Sequence, residues 1–281
     1  MAFFPKIPLG QVVEEMVNWI ETNLGWLLDA ITEFLGALLD LVESILLFFP
    51  VWAMVIIVAF IAYYVSRKFL LPILVALALL LVNNLELWDL AMQTLSLVLV
   101  ATLLCIVIGL PLGILSSRND SFNKGLSVIL DFMQTMPSFV YLIPAVIFFG
   151  IGMVPGLIAT VIFAMPPAIR LTNLGIRQVP TELTEVADSF GTTNGQKLSK
   201  VQLPVAMPTI MAGVNQTIML SLSMAVIAAM IGAGGLGYLV LVGIQRVDIA
   251  LGFEAGLGIV IIAIILDRIT QNLGTGSNKT P

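Results

Sequence analysis

Histidine is absent from the 281 residues, and cysteine occurs once, as Cys105 inside an apolar run. The first absence excludes imidazole acid–base chemistry and histidine metal sites. The second excludes an internal disulfide and any cysteine-based metal cluster. Charge is scarce as well. Only 10% of residues are charged, against 59% hydrophobic, whereas a soluble domain runs near 25% and 45–50%. Such a chain has too little polar surface for water, so lipid is its solvent. The charge that exists is segregated. Residues 1–50 hold Glu14, Glu15, Glu21, Asp29, Glu33, Asp40 and Glu43 against Lys6 alone, while the remainder is nearly balanced. Nothing here points to nucleic acid. The opening MAFFPKIPLG lacks a basic segment leading into an apolar one, so no cleavable signal peptide is expected.

Charge-free runs lie at about 46–66, 69–85, 90–117, 132–150, 155–169, 206–232 and 255–266. A helical span needs about 20 residues. Extending the second run to Trp88, the fifth to Thr172 and the last back to Ala250 gives seven spans, so the expected class is an all-α polytopic membrane protein. With Arg67 and Lys68 in the cytosol, Arg118, Lys124, Arg170, Arg177, Lys197, Lys200, Arg268 and Lys279 also fall inside. Lys6 and Arg246 fall outside. This positive-inside asymmetry puts the N-terminus outside and the C-terminus inside.

Residues 11–45 differ from these runs. At 100° per residue their seven acids occupy an arc of roughly 120°, opposite Val17, Ile20, Leu24, Leu27, Leu28, Ile31, Leu35, Leu38 and Leu39. A spanning helix would place Asp29, Glu33, Asp40 and Glu43 in lipid, at about 2.5–3.5 kcal/mol for a central Asp alone. The segment is therefore expected to lie along an interface, broken near Asn23-Leu24-Gly25. The expected organisation is an interfacial segment at 1–45, a transmembrane domain at 46–272 with a cytosolic loop at 173–205, and a cytosolic tail at 273–281.

That loop reads NLGIRQVPTELTEVADSFGTTNGQKLSKVQLP. Pro180 and Thr181 open one short helix, which stops at Gly191, a residue suited to left-handed backbone angles. Thr193 and Gln196 stand at capping-box spacing for a second, which Pro204 ends or hands to the next span. Leu183, Val186, Ala187 and Phe190 make one side of the first helix apolar.

Glu185-Val186-Ala187, three residues, Gly191, nine residues and Val201-Gln202-Leu203-Pro204 resemble the EAA motif of ABC importer permeases. Val186 and Val201 are mild departures from Ala and Ile. MQTMPSFVYLIPAVIFFGIGMVPG (133–156), FAMPPAIRLTNLGIRQVP (163–180) and MLSLSMAVIAAMIGAGGLG (219–237) are similar to permeases of the ProU and OpuA type, which import glycine betaine, proline betaine and related compatible solutes. The acidic N-terminal segment resembles the extra region of that subfamily. The resemblance implies the type I importer permease fold. It also implies a second permease copy, separate ATPase subunits that hold the ATP and magnesium, and an external substrate-binding protein or domain. The chain itself is then no enzyme and carries no cofactor. Glu185, Ala187, Gly191, Val201, Leu203 and Pro204 would form the ATPase-coupling surface. Choline, carnitine and amino-acid permeases remain open as alternatives, as does an ion-coupled secondary carrier.

Two glycine-rich stretches mimic nucleotide sites. Gly232-Ala233-Gly234-Gly235-Leu236-Gly237 fits G-x-G-x-x-G but follows a membrane span instead of a strand, so a close-packed turn or external gate is expected. Gly191 to Lys197 lacks phosphate-loop spacing. Gly109 with Gly113, and Gly252 with Gly256, are small-xxx-small pairs suited to close helix contacts. For the solute path, the candidates are Asn215, Gln216, Ser221 and Ser223, with Thr217 among them. Asn215 lies nine residues of helix, roughly 14 Å, beyond Ala206. Interhelical hydrogen bonding is the equally open alternative. Met133, Gln134, Met136 and Pro137 are a second candidate group at a kinked or broken helix, packing at the kink being their alternative.

Overall fold

The computed structural model describes residues 9–275, and these are helical almost throughout. Lys6, Lys279 and most of the 273–281 tail lie outside the described residues. The helices are α1 (Leu9–Phe48), α2 (Val51–Ser66), α3 (Leu70–Asn84), α4 (Trp88–Arg118), α5 (Asp120–Thr135), α6 (Leu142–Phe149) and α7 (Met153–Arg177). They continue with α8 (Thr181–Ser189), α9 (Asn194–Lys197), α10 (Leu203–Ala228), α11 (Gly235–Arg246) and α12 (Ile249–Thr275).

The centre is a block of α4, α7 and α10, and small residues allow its backbones to meet. A methyl group added at Gly113 would stand 2.6 Å from Thr172 Cβ and 2.8 Å from the Ile169 carbonyl. One added at Gly109 would stand 3.1 Å from Ala168 Cβ. Gly175 and Gly213 bring α7 against α10 in the same way. The first glycine pair thus works as expected, on a neighbouring helix of the same chain. The second pair does so only by half: Gly252 packs on Gly243 of α11, while Gly256 meets nothing within 4 Å.

Among the described residues, four stretches are long and apolar enough to cross a membrane alone: Trp88–Arg118, Met153–Arg177, Asn194–Ile231 and Ile249–Asn272. Counting each of two sharply bent pairs as one span gives six. The polytopic helical class holds, but the row of straight spans needs correction. The 132–150 run is no single helix. The chain turns by 107° between α5 and Ser138–Phe149, because Pro137 biases Met136 to extended backbone (φ −71, ψ 137). The 46–66 run also divides. Leu46–Phe48 close α1, Pro50 breaks the helix, and α2 is left with 16 residues and α3 with 15.

α1 runs unbroken for 40 residues, so the expected break near Asn23-Leu24-Gly25 does not occur. A single helical glycine costs only about 1 kcal/mol, and Asn23 bonds back to the Trp19 carbonyl at 2.8 Å without leaving the helix. α1 meets α2 at 100°, and Leu35 and Leu39 are buried on the core. Trp19, Trp26, Phe34, Leu41, Ile45 and Phe48 remain exposed in a stripe beside the acidic face. Partial burial raises the Glu43 carboxyl above the ordinary carboxylate range, and Asp40 and then Asp89 add to it. A raised folded-state value weakens this contact as the pH rises through it. Glu43→Gln is therefore expected to raise the melting temperature of the purified protein at pH 7 and to leave it nearly unchanged at pH 4.

The glycine-rich turn at 232–237 is a packed junction. Gly232, Gly234 and Gly235 all have positive φ, which glycine adopts without a Cβ clash. The turn follows helix, and no strand precedes it, so the nucleotide-fold context is missing. The first N–H groups of α11 receive their caps from α4. Gly235 N donates to Gln93 Oε1 at 2.6 Å, and Leu236 N donates to Thr94 Oγ1 at 2.8 Å. Thr94→Val leaves the buried Leu236 N–H without a partner, a cost of about 1–3 kcal/mol. Hydrogen exchange at 235–237 should accelerate in that variant. Gly113→Ala should lower the melting temperature by several degrees through overpacking of about 1–3 kcal/mol. Gly125→Ala, with open space around it, should not lower it.

Candidate coupling surface and translocation cavity

α8 is an isolated knob at the end of the bundle where α4 and α7 finish and α5 begins. It ends in both hydrogen bonds of a Schellman motif: Gly191 N donates to the Asp188 carbonyl at 2.9 Å, and Thr192 N to the Ala187 carbonyl at 3.2 Å. Gly191 has φ +71 and nothing within 4 Å of an added Cβ, so its role is conformational. The capping box of Thr193 and Gln196 is present. The helix it opens is not a second separate one. From Asn194 it runs on through a π turn at Leu198–Gln202 into α10. The Leu203 N–H donates to the Leu198 carbonyl. This wider turn lets Pro204, which has no N–H, pass inside a continuous helix.

The knob is held by charge. Lys197 Nζ bonds both Asp188 oxygens at 2.7 and 2.8 Å. An Arg118 guanidinium nitrogen reaches the Asn194 carbonyl at 3.1 Å. Beneath it, Arg177 donates to Asn173 Oδ1, the Ser116 carbonyl and Asp120 Oδ1 at 2.7–2.9 Å. Asn123 Oδ1 accepts from Ser116 Oγ and Asn173 Nδ2, each at 2.7 Å. This knot joins α4, α5 and α7. Sequence reading missed it, because its members are ordinary polar residues at helix ends. Arg170 pairs with Asp131 at 2.5 Å, a further tie between α5 and α7.

Of the expected coupling residues, Glu185 is exposed, Gly191 makes the turn, Val201 and Leu203 are half-buried and Pro204 is exposed. Ala187 is placed differently. It is 6% exposed, so its small size serves packing within the chain. The apolar surface on offer is Leu183, Val186 and Phe190, the last 83% exposed.

The pathway candidates separate by helical face. Ser221 and Thr217 of α10 are fully buried against the central block, with Thr217 bonded to the Gly213 carbonyl. They are core residues, and they line no cavity among those described. Gln216 and Ser223 lie seven residues apart on one exposed face that also carries Pro208 and Ala212. Asn215 borders that face. Asn215 and Gln216, with Pro208, Met211, Ala212, Thr270 and Gln271, line a cavity of about 400 Å³ between α10 and α12. The Met133 group is split by the bend. The Met133 carbonyl accepts from the Tyr141 hydroxyl, Met136 packs on the Tyr141–Leu142–Ala145 cluster, and Gln134 and Pro137 are exposed. The structure does not bring them to the α10–α12 cavity.

Residues 106–276 match the family described as binding-protein-dependent transport system inner membrane component. The chain is 52% identical over 96% of its length to the glycine betaine/carnitine transport permease protein GbuB of Listeria monocytogenes, covering 97% of that relative. It is 48% identical to the glycine betaine transport system permease protein OpuAB of Bacillus subtilis, covering 96% of this chain and 95% of that relative. With the glycine betaine/proline betaine transport system permease protein ProW of Escherichia coli it shares 49% identity over 97% of its length and 77% of the relative's. Among solved structures, an inward-facing MetNI methionine ABC transporter superposes with TM-score 0.62 at 22% identity, covering 69% of this chain and 96% of that one. This last likeness bears on fold alone.

The knob's stiffness has a measurable consequence. Gly191→Ala forces a left-handed alanine at about 1–2 kcal/mol. Circular dichroism melting should show only a small global change, while limited proteolysis between 189 and 194 should speed up several-fold.

Proposed function

The chain belongs to the family of binding-protein-dependent transport system inner membrane components, and from that premise we propose how it works and what it carries. It is a multi-pass permease of an ABC importer in the inner membrane. Its solute is glycine betaine or a closely related quaternary-ammonium osmolyte. Supporting this, three relatives near 50% identity are named for glycine betaine transport. Two copies pair in the membrane. An external binding protein delivers the solute, and cytosolic ATPase subunits hold the ATP and magnesium.

The observation that carries the coupling assignment is the exposed apolar face of α8 at a polar-wired end of the bundle. Leu183, Val186 and Phe190 are exposed and have no partner surface among the described residues, and Glu185 beside them offers a charge to a basic partner. Displacement of α8 would pass through Asp188–Lys197, Arg118–Asn194 and the Arg177 knot to α4, α5 and α7, because charge-assisted hydrogen bonds resist stretching more than apolar contacts do. The basic residues cluster at this end, and the positive-inside rule supports a cytosolic position for it. The 273–281 tail then lies inside. α1, which meets the opposite ends of α4 and α7, lies along the outer interface with its acids toward water.

The test is ATP-dependent uptake by the reconstituted complex, with glycine betaine, proline betaine, choline, carnitine and unrelated amino acids as competitors. Betaines should compete strongly, and equal competition by unrelated amino acids would remove the osmolyte assignment. Glu185→Lys with Phe190→Ala should cut ATPase co-purification at least tenfold, about 1.4 kcal/mol or more, without lowering the permease's melting temperature. Unchanged co-purification and uptake would remove α8 from the coupling surface.

A further inference from the structure

The α10–α12 cavity has a carboxylate behind its wall that the sequence did not place there. Asp267 of α12 accepts from Asn215 Nδ2 at 2.9 Å and Gln271 Nε2 at 2.6 Å, both onto Oδ1. The Thr270 hydroxyl stands 2.8 Å from Asn215 Oδ1. Asn215, Thr270 and Gln271 are themselves lining residues. Asn215, a candidate from its type and depth alone, is therefore the link that fixes this carboxylate at the cavity wall. The α10 wall sets the apolar surface of Pro208, Met211 and Ala212 beside the amides of Asn215 and Gln216.

Position argues that this surface does not face lipid. The exposed surfaces of α2 and α3 carry Trp52, Ile56, Phe60, Leu70, Ile73 and Leu77. The exposed face of α10 instead mixes Val205 and Ala212 with Gln216 and Ser223. Polar groups in membrane helices face a bundle interior or a water-filled space. Opposite Gly213 of α10 stand Pro167 and Leu171 of α7. Leu171 is 18 residues from the start of α7 at Met153, roughly 27 Å of helix. Asn215 thus sits in the inner half of a hydrocarbon core about 30 Å thick.

We propose that Asp267, held by Asn215 and backed by Met211 and Ala212, makes this cavity a weak cation-selective station that the quaternary ammonium of the solute visits on its way to the cytosol. The last clause rests on the function proposed above. A quaternary ammonium has no N–H and cannot use directional hydrogen bonds, so it is recognised by a negative field plus apolar surface for its methyl groups. This cavity combines the two. Its volume falls within the ~300–1,000 Å³ of small-molecule sites. Its walls are aliphatic and amide where a tight ammonium site uses aromatic faces, and weak binding suits a station that must release its occupant.

Cys105 is the chain's one cysteine and is buried, so Ala212→Cys in a Cys105→Ala background presents a single reactive thiol at the wall. The intact complex in nanodiscs is treated with trimethylammonium-ethyl and sulfonatoethyl methanethiosulfonate, and the rate ratio is compared with that on free thiol. The cationic reagent should be favoured about tenfold beyond its intrinsic preference, as expected for one unit charge nearby at intermediate dielectric. Asp267→Asn should abolish that excess and Asp267→Glu should keep most of it. Millimolar tetramethylammonium and millimolar glycine betaine should each slow labelling, and sodium at equal concentration should not. An unaltered ratio, an excess that survives Asp267→Asn, or a thiol that neither reagent reaches overturns the proposal. Cation preference without protection by glycine betaine would keep the cation site and remove betaine as its occupant. Loss of betaine uptake alone, with the preference intact, bears on the transport assignment.

Discussion

Helices gain nothing from leaving lipid for one another, since hydrocarbon tails are as apolar as leucine. What holds this protein together is close backbone approach, and close approach needs residues without bulk. Gly109 and Gly113 seat α4 on α7, and Gly175 and Gly213 seat α7 on α10. Every other element takes its position from that block. α12 docks on α10, α11 is capped from α4, α1 packs on α4 and α7, and the α2–α3 pair lies against α12.

The two ends of the block are finished with different chemistry. At the α8 end the ties are ionic, through Arg177, Asp120, Lys197 and Asp188. At the other end they are neutral: glycine N–H groups on Gln93 and Thr94, the Gly152 N–H on the Ile231 carbonyl, and Gly156 against Ala228 and Ala233. Charge-assisted bonds are the stronger class. The two ends of the block thus differ in the kind of bond that closes them, ionic at one and neutral at the other. Between them the exposed face of α10 and the bend at Met136-Pro137 interrupt what would otherwise be plain lipid-facing helices.

Much of this was legible along the chain. The lipid solvent followed from the shortage of charge. The Gly191 stop and the Thr193–Gln196 box were readable because caps depend on residues three or four apart. The acidic arc of α1 was readable because it needs only the helical period. The errors came where local punctuation was given too much weight or too little. Gly25 does not break α1, since neighbouring helix formers outweigh one glycine. Of the two expectations for Pro204, entry into the next span holds, since a π turn lets the helix continue through it. The break expected at Met136-Pro137 does occur, as a bend of 107°, and the error lay in still counting 132–150 as one straight span.

The sequence by itself determined the solvent, the helical class, the capping chemistry and the motif spacing of the coupling loop, because each depends on composition or on neighbours within one or two turns. Tertiary structure alone decided which face of each helix is which. Ser221 and Gln216 read alike on paper, yet one is locked in the core and the other lines a cavity. Ala187 sits inside a motif whose neighbours Val186 and Phe190 face outward. Asp267, 52 positions from Asn215, became its partner only because α12 folds back beside α10. Contacts of that separation depend on how helices are rotated against each other, and small residues scattered over the whole chain set that rotation together.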